Sequence, residues 1–180
     1  MTEHRRPRNG PAPSDVAAIE RAWKTHTALI EWTGKVDQKA SFALTVESAV
    51  LLAVVGFSSP TGVLSGLHGG SRVVFAFGVV LLLLAVGCAG WAVIPQIRAR
   101  KIDKNPRGGV IFFGHLRNWT PADLVVELRA TDRELPGLAD QLINMSVIAW
   151  RKHRRLQASM WLALGGSLLV GLAEGLHRLL

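Results

Sequence analysis

Cysteine is nearly absent from this 180-residue chain, which has only Cys88. A single cysteine excludes an intrachain disulfide framework. The six histidines are scattered without the spacing of zinc ligands, so we expect no metal site. The chain also lacks a nucleophile–histidine–acid arrangement and a glycine-rich phosphate loop. We therefore expect no enzymatic activity and no cofactor.

Charged side chains are missing from three long stretches, residues 48–71, 73–97 and 156–173. The last stretch has 18 residues and would rise about 27 Å as a helix, close to the hydrocarbon thickness of a bilayer. The first stretch extends back to about Ala40 if Glu47 is tolerated inside the membrane. The sequence therefore predicts three transmembrane helices.

Positive charge lies almost wholly on one side of these stretches. Of the 21 Lys and Arg residues, seven precede the first stretch and twelve lie between the second and the third. The positive-inside rule then predicts a cytoplasmic N-terminus, a cytoplasmic segment 98–155 and an external C-terminus. The net charge of +8 would suggest nucleic-acid binding in a soluble chain. Here topology and anionic headgroups account for it, and we expect a multi-pass membrane protein with no nucleic-acid partner.

The apolar pattern predicts that two helices continue beyond the membrane. Residues 1–13 are typical of a disordered basic tail, and residues 14–57 predict an amphipathic helix that continues into the first span. The second span is predicted over 72–97 and the third over 156–176. The fold class is therefore an all-α membrane protein with three transmembrane helices, two of them long and continuing into a small cytoplasmic helical layer.

The cytoplasmic insert, residues 98–155, is predicted to be helical with one short extended run at 110–113. Thr120 is a typical N-cap, and the helix that follows it is expected to end near Leu135. Pro136 and Gly137 would then form a turn. The next helix is expected to run without a break into the third span.

Small residues recur at every fourth position in two of the predicted spans. The first ridge is Ser41, Thr45, Ala49 and Ala53, and the second is Ala163, Ser167, Gly171 and Gly175. Such ridges let helix backbones approach closely, either within one chain or between copies.

Polar residues close to the first span have two interpretations each. Glu47 is either a membrane-embedded carboxylate with a function or an interfacial residue just before the span. Asp37 and Lys39 either extend into the headgroups or help to form a ligand pocket with the insert.

A second candidate group follows the second span. Phe113, His115, Arg117 and Trp119 combine aromatic rings with cationic groups, which is a chemistry that stacks on a base and binds phosphate. The alternative is an aromatic belt at the membrane surface.

Three short elements resemble one known family when taken in their order along the chain. They are Trp32-x4-Asp37-x-Lys39-Ala40 entering the first span, Val110-Ile111-Phe112-Phe113-Gly114-His115-Leu116 after the second, and Gln141-Leu142-x3-Ser146-x-Ile148-Ala149-x2-Lys152 entering the third. With them, residues 16–175 resemble the transmembrane effectors of Pycsar anti-phage systems.

This resemblance implies a role in antiviral defence. A partner cytidylate or uridylate cyclase would make cyclic CMP or cyclic UMP on infection, and the effector would then impair the inner membrane and cause abortive infection. On this view Lys152 and Arg117 would meet the phosphate, and Phe113 or Trp119 would stack on the base. The other residues of the ligand layer would be Asp37, Lys39 and His115.

The resemblance also implies residues for gating, and two other functions remain as alternatives to it. Glu47 and the ridge of Ala163, Ser167, Gly171 and Gly175 would support gating and packing in a homo-oligomer. One alternative is a nucleotide-independent channel or holin-like protein, which would be toxic by itself. Another is a membrane anchor or scaffold, which would never depolarise the membrane.

Overall fold

The computed structural model of the chain describes residues 13–59, 62, 64, 66–95, 111, 113–130 and 134–179. Within those residues every regular element is a helix: α1 (Pro13–Phe57), α2 (Gly69–Val93), α3 (Phe113–Leu116), α4 (Pro121–Leu128) and α5 (Glu134–Leu179). Residues 1–12 of the predicted basic tail and residues 98–110 of the predicted insert lie outside this description.

Three of the helices are long and apolar enough to cross a membrane, namely α1, α2 and α5. The helix α2 has 25 residues, whereas α1 has 45 and α5 has 46. At the rise of an α-helix the two longest measure about 70 Å, more than twice the hydrocarbon thickness. The predicted all-α fold with three membrane-crossing helices, two of them long, is confirmed. The cytoplasmic layer stays a prediction.

Contacts divide the chain into two units. The first unit comprises residues 1–32 and 96–148. Its described part holds buried Leu29 and Leu138, and the Trp23 indole N–H donates a hydrogen bond of 3.0 Å to Glu134. On the surface of α1, the hydrogen bond and the positive charge of Lys24 hold the pKa of Glu20 below its ordinary value.

The second unit comprises residues 33–95 and 149–180 and contains the apolar parts of α1, α2 and α5. Each of the three helices contributes one residue to a buried core of Ala40, Ala92 and Leu156. The outer faces expose large apolar side chains, among them Phe42, Leu52, Phe77, Trp161 and Leu168. An apolar surface of this extent is typical of helices that lipid covers. The chain is a multi-pass membrane protein.

Three local predictions for the insert were wrong. The helix that starts after Thr120 ends at Leu128, and Pro136 and Gly137 lie inside the first turn of α5 instead of forming a turn. Proline is tolerated in the first turn of a helix because its missing N–H would have no intrahelical partner there. Phe113 begins the helical turn α3 and is not extended, while residues 110 and 112 are outside the described part.

The start of α4 offers a local test of its predicted cap. The Thr120 hydroxyl oxygen accepts a hydrogen bond of 3.3 Å from the Asp123 backbone N–H. Replacing Thr120 by Ala should cost α4 about 1 kcal/mol, which corresponds to about fivefold faster amide hydrogen exchange over residues 121–128. Thr120→Ser keeps the acceptor and should exchange like the parent chain. Equal rates in the two variants would show that the cap does not stabilise α4.

Candidate functional site

The second unit buries polar side chains where α1 packs against α5. Most buried residues of these two helices are apolar or small, such as Ala40 and Val54 on α1 and Leu156 and Ala173 on α5. Four polar residues pair across the two helices; Glu47, Lys152 and Ser159 are buried, and Asp37 is half-buried. Asp37 pairs with Lys152, and Glu47 pairs with Ser159. We call these four residues the polar seam.

The first pair of the polar seam is an ion pair. The Lys152 ammonium donates to both carboxylate oxygens of Asp37, at 2.6 and 2.8 Å. The Lys152 side chain is 7% exposed and that of Asp37 is 40% exposed. A lysine is rarely buried so deeply without a compensating charge, and Asp37 supplies it. The pair therefore joins the two long helices at one defined position.

Lys39 has a different environment from Lys152. It follows Asp37 by two residues, which is about 200° around an α-helix, so the two side chains lie on opposite sides of α1. Its side chain is exposed. The sequence analysis placed both lysines in one ligand layer with Asp37. In the structure Lys152 is the buried partner of the ion pair, whereas Lys39 is exposed.

The second pair of the polar seam is deeply buried. Glu47 is 5% exposed and Ser159 is 0% exposed. The Ser159 hydroxyl donates a hydrogen bond of 2.5 Å to Glu47 Oε1. Glu47 Oε2 is also buried, and it has no hydrogen-bond partner among the described residues. Glu47 is therefore buried between the helices, and both interpretations of its depth in the membrane stay predictions.

Sequence reasoning did not identify Ser159. A signal was present, because Ser159 follows Lys152 by seven residues and therefore lies two turns further along the same face of α5. A second missed contact lies between α5 and α2, where the Arg155 guanidinium is 5.6 Å from the centre of the Trp91 ring. A cation within about 6 Å of an aromatic ring centre is attracted to the ring face, so this contact links α5 to α2.

The aromatic and basic candidates after the second span belong to the first unit. His115 and Trp119 are half-buried and Arg117 is exposed, whereas the side chain of Phe113 is outside the described part. Asp37 and Lys152 belong to the second unit. The assignment of all these residues to one ligand layer stays a prediction.

The close helix approach does not lie on the predicted ridges. Ser167, Gly171 and Gly175 are exposed, Ala163 is half-buried, and the ridge of Ser41, Thr45, Ala49 and Ala53 is exposed throughout. Instead α2 and α5 meet at Gly78 and Gly166. A Cβ added to Gly78 would lie 2.9 Å from the Gly166 carbonyl oxygen, and one added to Gly166 would lie 2.8 Å from that of Gly78.

Metal binding finds no support in the described part of the chain, where no group of three or more His, Cys, Asp or Glu side chains is placed to hold an ion. The arrangement instead offers one buried cation held by one carboxylate, and one buried carboxylate held by one hydroxyl. In each pair, another ion or hydrogen-bonding group could replace one partner, and the contact between α1 and α5 would then be lost.

Comparison with known proteins agrees with this membrane architecture. The family model described as the Pycsar effector protein domain matches residues 21–176, a range that includes all four residues of the polar seam. No curated protein and no solved structure matches the chain.

Proposed function

Since this chain belongs to the Pycsar effector family and is an anti-phage defence effector of that type, we propose that cyclic CMP or cyclic UMP triggers it to impair the inner membrane. A partner pyrimidine nucleotide cyclase makes the signal on infection. The positive-inside rule places the N-terminus and residues 98–155 in the cytoplasm, where the signal appears, and the C-terminus outside. Loss of membrane integrity then ends the infection together with the cell. This role involves no chemical reaction by the effector itself.

The observation that supports a switch is the ion pair between Asp37 and Lys152. A cyclic nucleotide carries one phosphodiester anion, and a buried lysine is a suitable cation for it. In the resting state Asp37 occupies that cation. In the active state the phosphate takes the place of the carboxylate, and α1 is released from α5.

A ligand shifts such an equilibrium only through its differential affinity for the two states. The ion pair provides this difference, because Lys152 is 7% exposed and bonded to both oxygens of Asp37 in the resting arrangement. Phosphate binds only when that contact is open. The nucleotide therefore favours the state in which the two long helices are separated.

The membrane damage follows from surfaces that the resting chain leaves uncovered. The small residues Ser41, Thr45, Ala49 and Ala53 are exposed on α1, and Ser167, Gly171 and Gly175 are exposed on α5. Small residues let transmembrane helices of separate copies pack closely. Released helices would pack through these faces into a leaky homo-oligomer.

Dye release from liposomes tests the proposal. Vesicles containing the protein should release dye with cyclic CMP or cyclic UMP, and they should retain it with no nucleotide or with cyclic AMP, the matched purine control. Release without any nucleotide would identify a constitutive channel. Retention under every condition would identify a membrane anchor or scaffold.

A further inference from the structure

Glu47 is the only Asp, Glu, Lys, Arg or His in the apolar stretches 40–57, 73–93 and 156–173. It is 5% exposed and belongs to the buried stripe of α1. The large side chains on the outer faces of these helices are apolar, as at Leu52, Phe77 and Leu168. A water-filled passage needs polar lining. The polar seam supplies the only charged lining in these stretches.

The hydrogen bonding of Glu47 is incomplete in the resting state. Oε1 accepts from Ser159, while buried Oε2 has no partner among the described residues. An incompletely bonded carboxylate among apolar helices is costly, and water at Oε2 would remove that cost. Separation of α1 from α5 therefore favours water entry at Glu47 over exposure of the carboxylate to lipid.

We propose that the passage opened by this effector conducts cations in preference to anions, and that Glu47 sets this preference. The inference rests on the proposed function, because it concerns the passage that the nucleotide opens. A fixed negative charge between low-dielectric walls attracts cations and repels anions. Several copies of the chain would place several such carboxylates around one passage.

The other charges of the polar seam act in the same direction. Opening of the ion pair leaves the Asp37 carboxylate free, while the nucleotide phosphate neutralises Lys152. The uncompensated charge along the polar seam is then negative at both Asp37 and Glu47. No Lys, Arg or His lies inside the three apolar stretches to offset the charge of Glu47.

Reversal potentials in planar bilayers test the inference. With a KCl gradient and cyclic CMP or cyclic UMP present, the parent protein should reverse near the potassium equilibrium potential. Glu47→Gln should lose the preference for potassium over chloride several-fold, which moves the reversal potential toward zero. Glu47→Asp should keep the preference. Glu31→Gln is the matched control, because it removes the same charge from an exposed site of α1 outside the apolar stretch.

The failures of the two proposals are distinguishable. A conductance in the parent protein with equal or greater chloride permeability would overturn the role of Glu47 and leave the nucleotide-triggered leak standing. An unchanged potassium preference in Glu47→Gln would also overturn it. Absence of any conductance with either nucleotide would overturn the proposed function itself. The ion preference of the parent protein tests the proposal even where Glu47→Gln does not insert into the bilayer.

Discussion

Cells that produce the Asp37→Asn variant are expected to stop growing without phage and without any cyclase. The change leaves the Lys152 ammonium buried at 7% exposure with no opposite charge. Breaking a fully buried pair costs about 3–5 kcal/mol, whereas exposed pairs contribute less than about 1 kcal/mol. Because Asp37 is 40% exposed, we expect a loss of about 1–3 kcal/mol. This shifts the balance toward the active state by about 5- to 150-fold.

The measurement is growth and membrane potential after induced expression in cells that lack a cyclase. The charge exchange Asp37→Lys with Lys152→Asp restores an opposite pair at the same place and should be quiet again. Lys35→Ala removes an exposed positive charge two residues before Asp37, and it should remain quiet without the cyclase and toxic with it. If Asp37→Asn were inert both with and without the cyclase, the ion pair would belong to the active state and not to the resting state.

The fold could largely be predicted because its main determinants are long and repetitive. Three stretches without charge, flanked by Lys and Arg, predict three membrane-crossing helices whatever their packing. The boundaries inside the insert were less predictable. Pro136 and Gly137 are typical of a turn, yet the same proline fits the first turn of α5. Nothing local distinguishes these two outcomes, since a proline is equally suited to a turn and to the first turn of a helix.

The candidate site was predicted only in part, because its contacts join residues far apart in the chain. Asp37 and Lys152 were both candidates, but their contact spans 115 residues. The pairing of Glu47 with Ser159 spans 112 residues. Besides the seven-residue spacing of Lys152 and Ser159, helical geometry contained a second usable signal, since positions 37 and 39 cannot share a face. It separates Lys39 from Asp37 even without a structure.

The small-residue ridges also could not be assigned to a contact from the sequence alone. A spacing of four marks a continuous stripe on a helix, but it does not tell which stripe another helix covers. Both ridges have this spacing, yet the first is exposed throughout, and Ser167, Gly171 and Gly175 of the second are exposed as well. The covered pair is Gly78 with Gly166, which belongs to neither ridge. Substitution of Gly166 is therefore expected to affect stability in the opposite direction from substitution of Gly171 or Gly175 on the same helix.

Gly166→Ala is expected to loosen the packing of α2 on α5. The new Cβ would lie 2.8 Å from the Gly78 carbonyl oxygen and 3.0 Å from the Leu82 backbone nitrogen. Both are backbone atoms, so the helices must move apart to accommodate it. Overpacking of this kind costs about 1–3 kcal/mol, and for a chain of this size that lowers Tm by about 2–12 °C. Thermal unfolding in detergent micelles, followed by circular dichroism, measures the shift. Gly78→Ala should behave alike, because its Cβ would lie 2.9 Å from the Gly166 carbonyl oxygen.

The matched controls for this prediction are Gly171→Ala and Gly175→Ala. A Cβ at either position meets nothing within 4 Å. Alanine also replaces the flexible glycine inside a helix, which stabilises by about 0.5–1 kcal/mol. These two variants should therefore unfold at the same Tm as the parent chain or slightly above it, whereas Gly166→Ala unfolds below it. A common Tm shift for all four variants would mean that α2 and α5 do not meet at Gly78 and Gly166. Loss of nucleotide-triggered dye release in Gly171→Ala alone, with an unchanged Tm, would instead locate contact between copies of the chain on the exposed ridge.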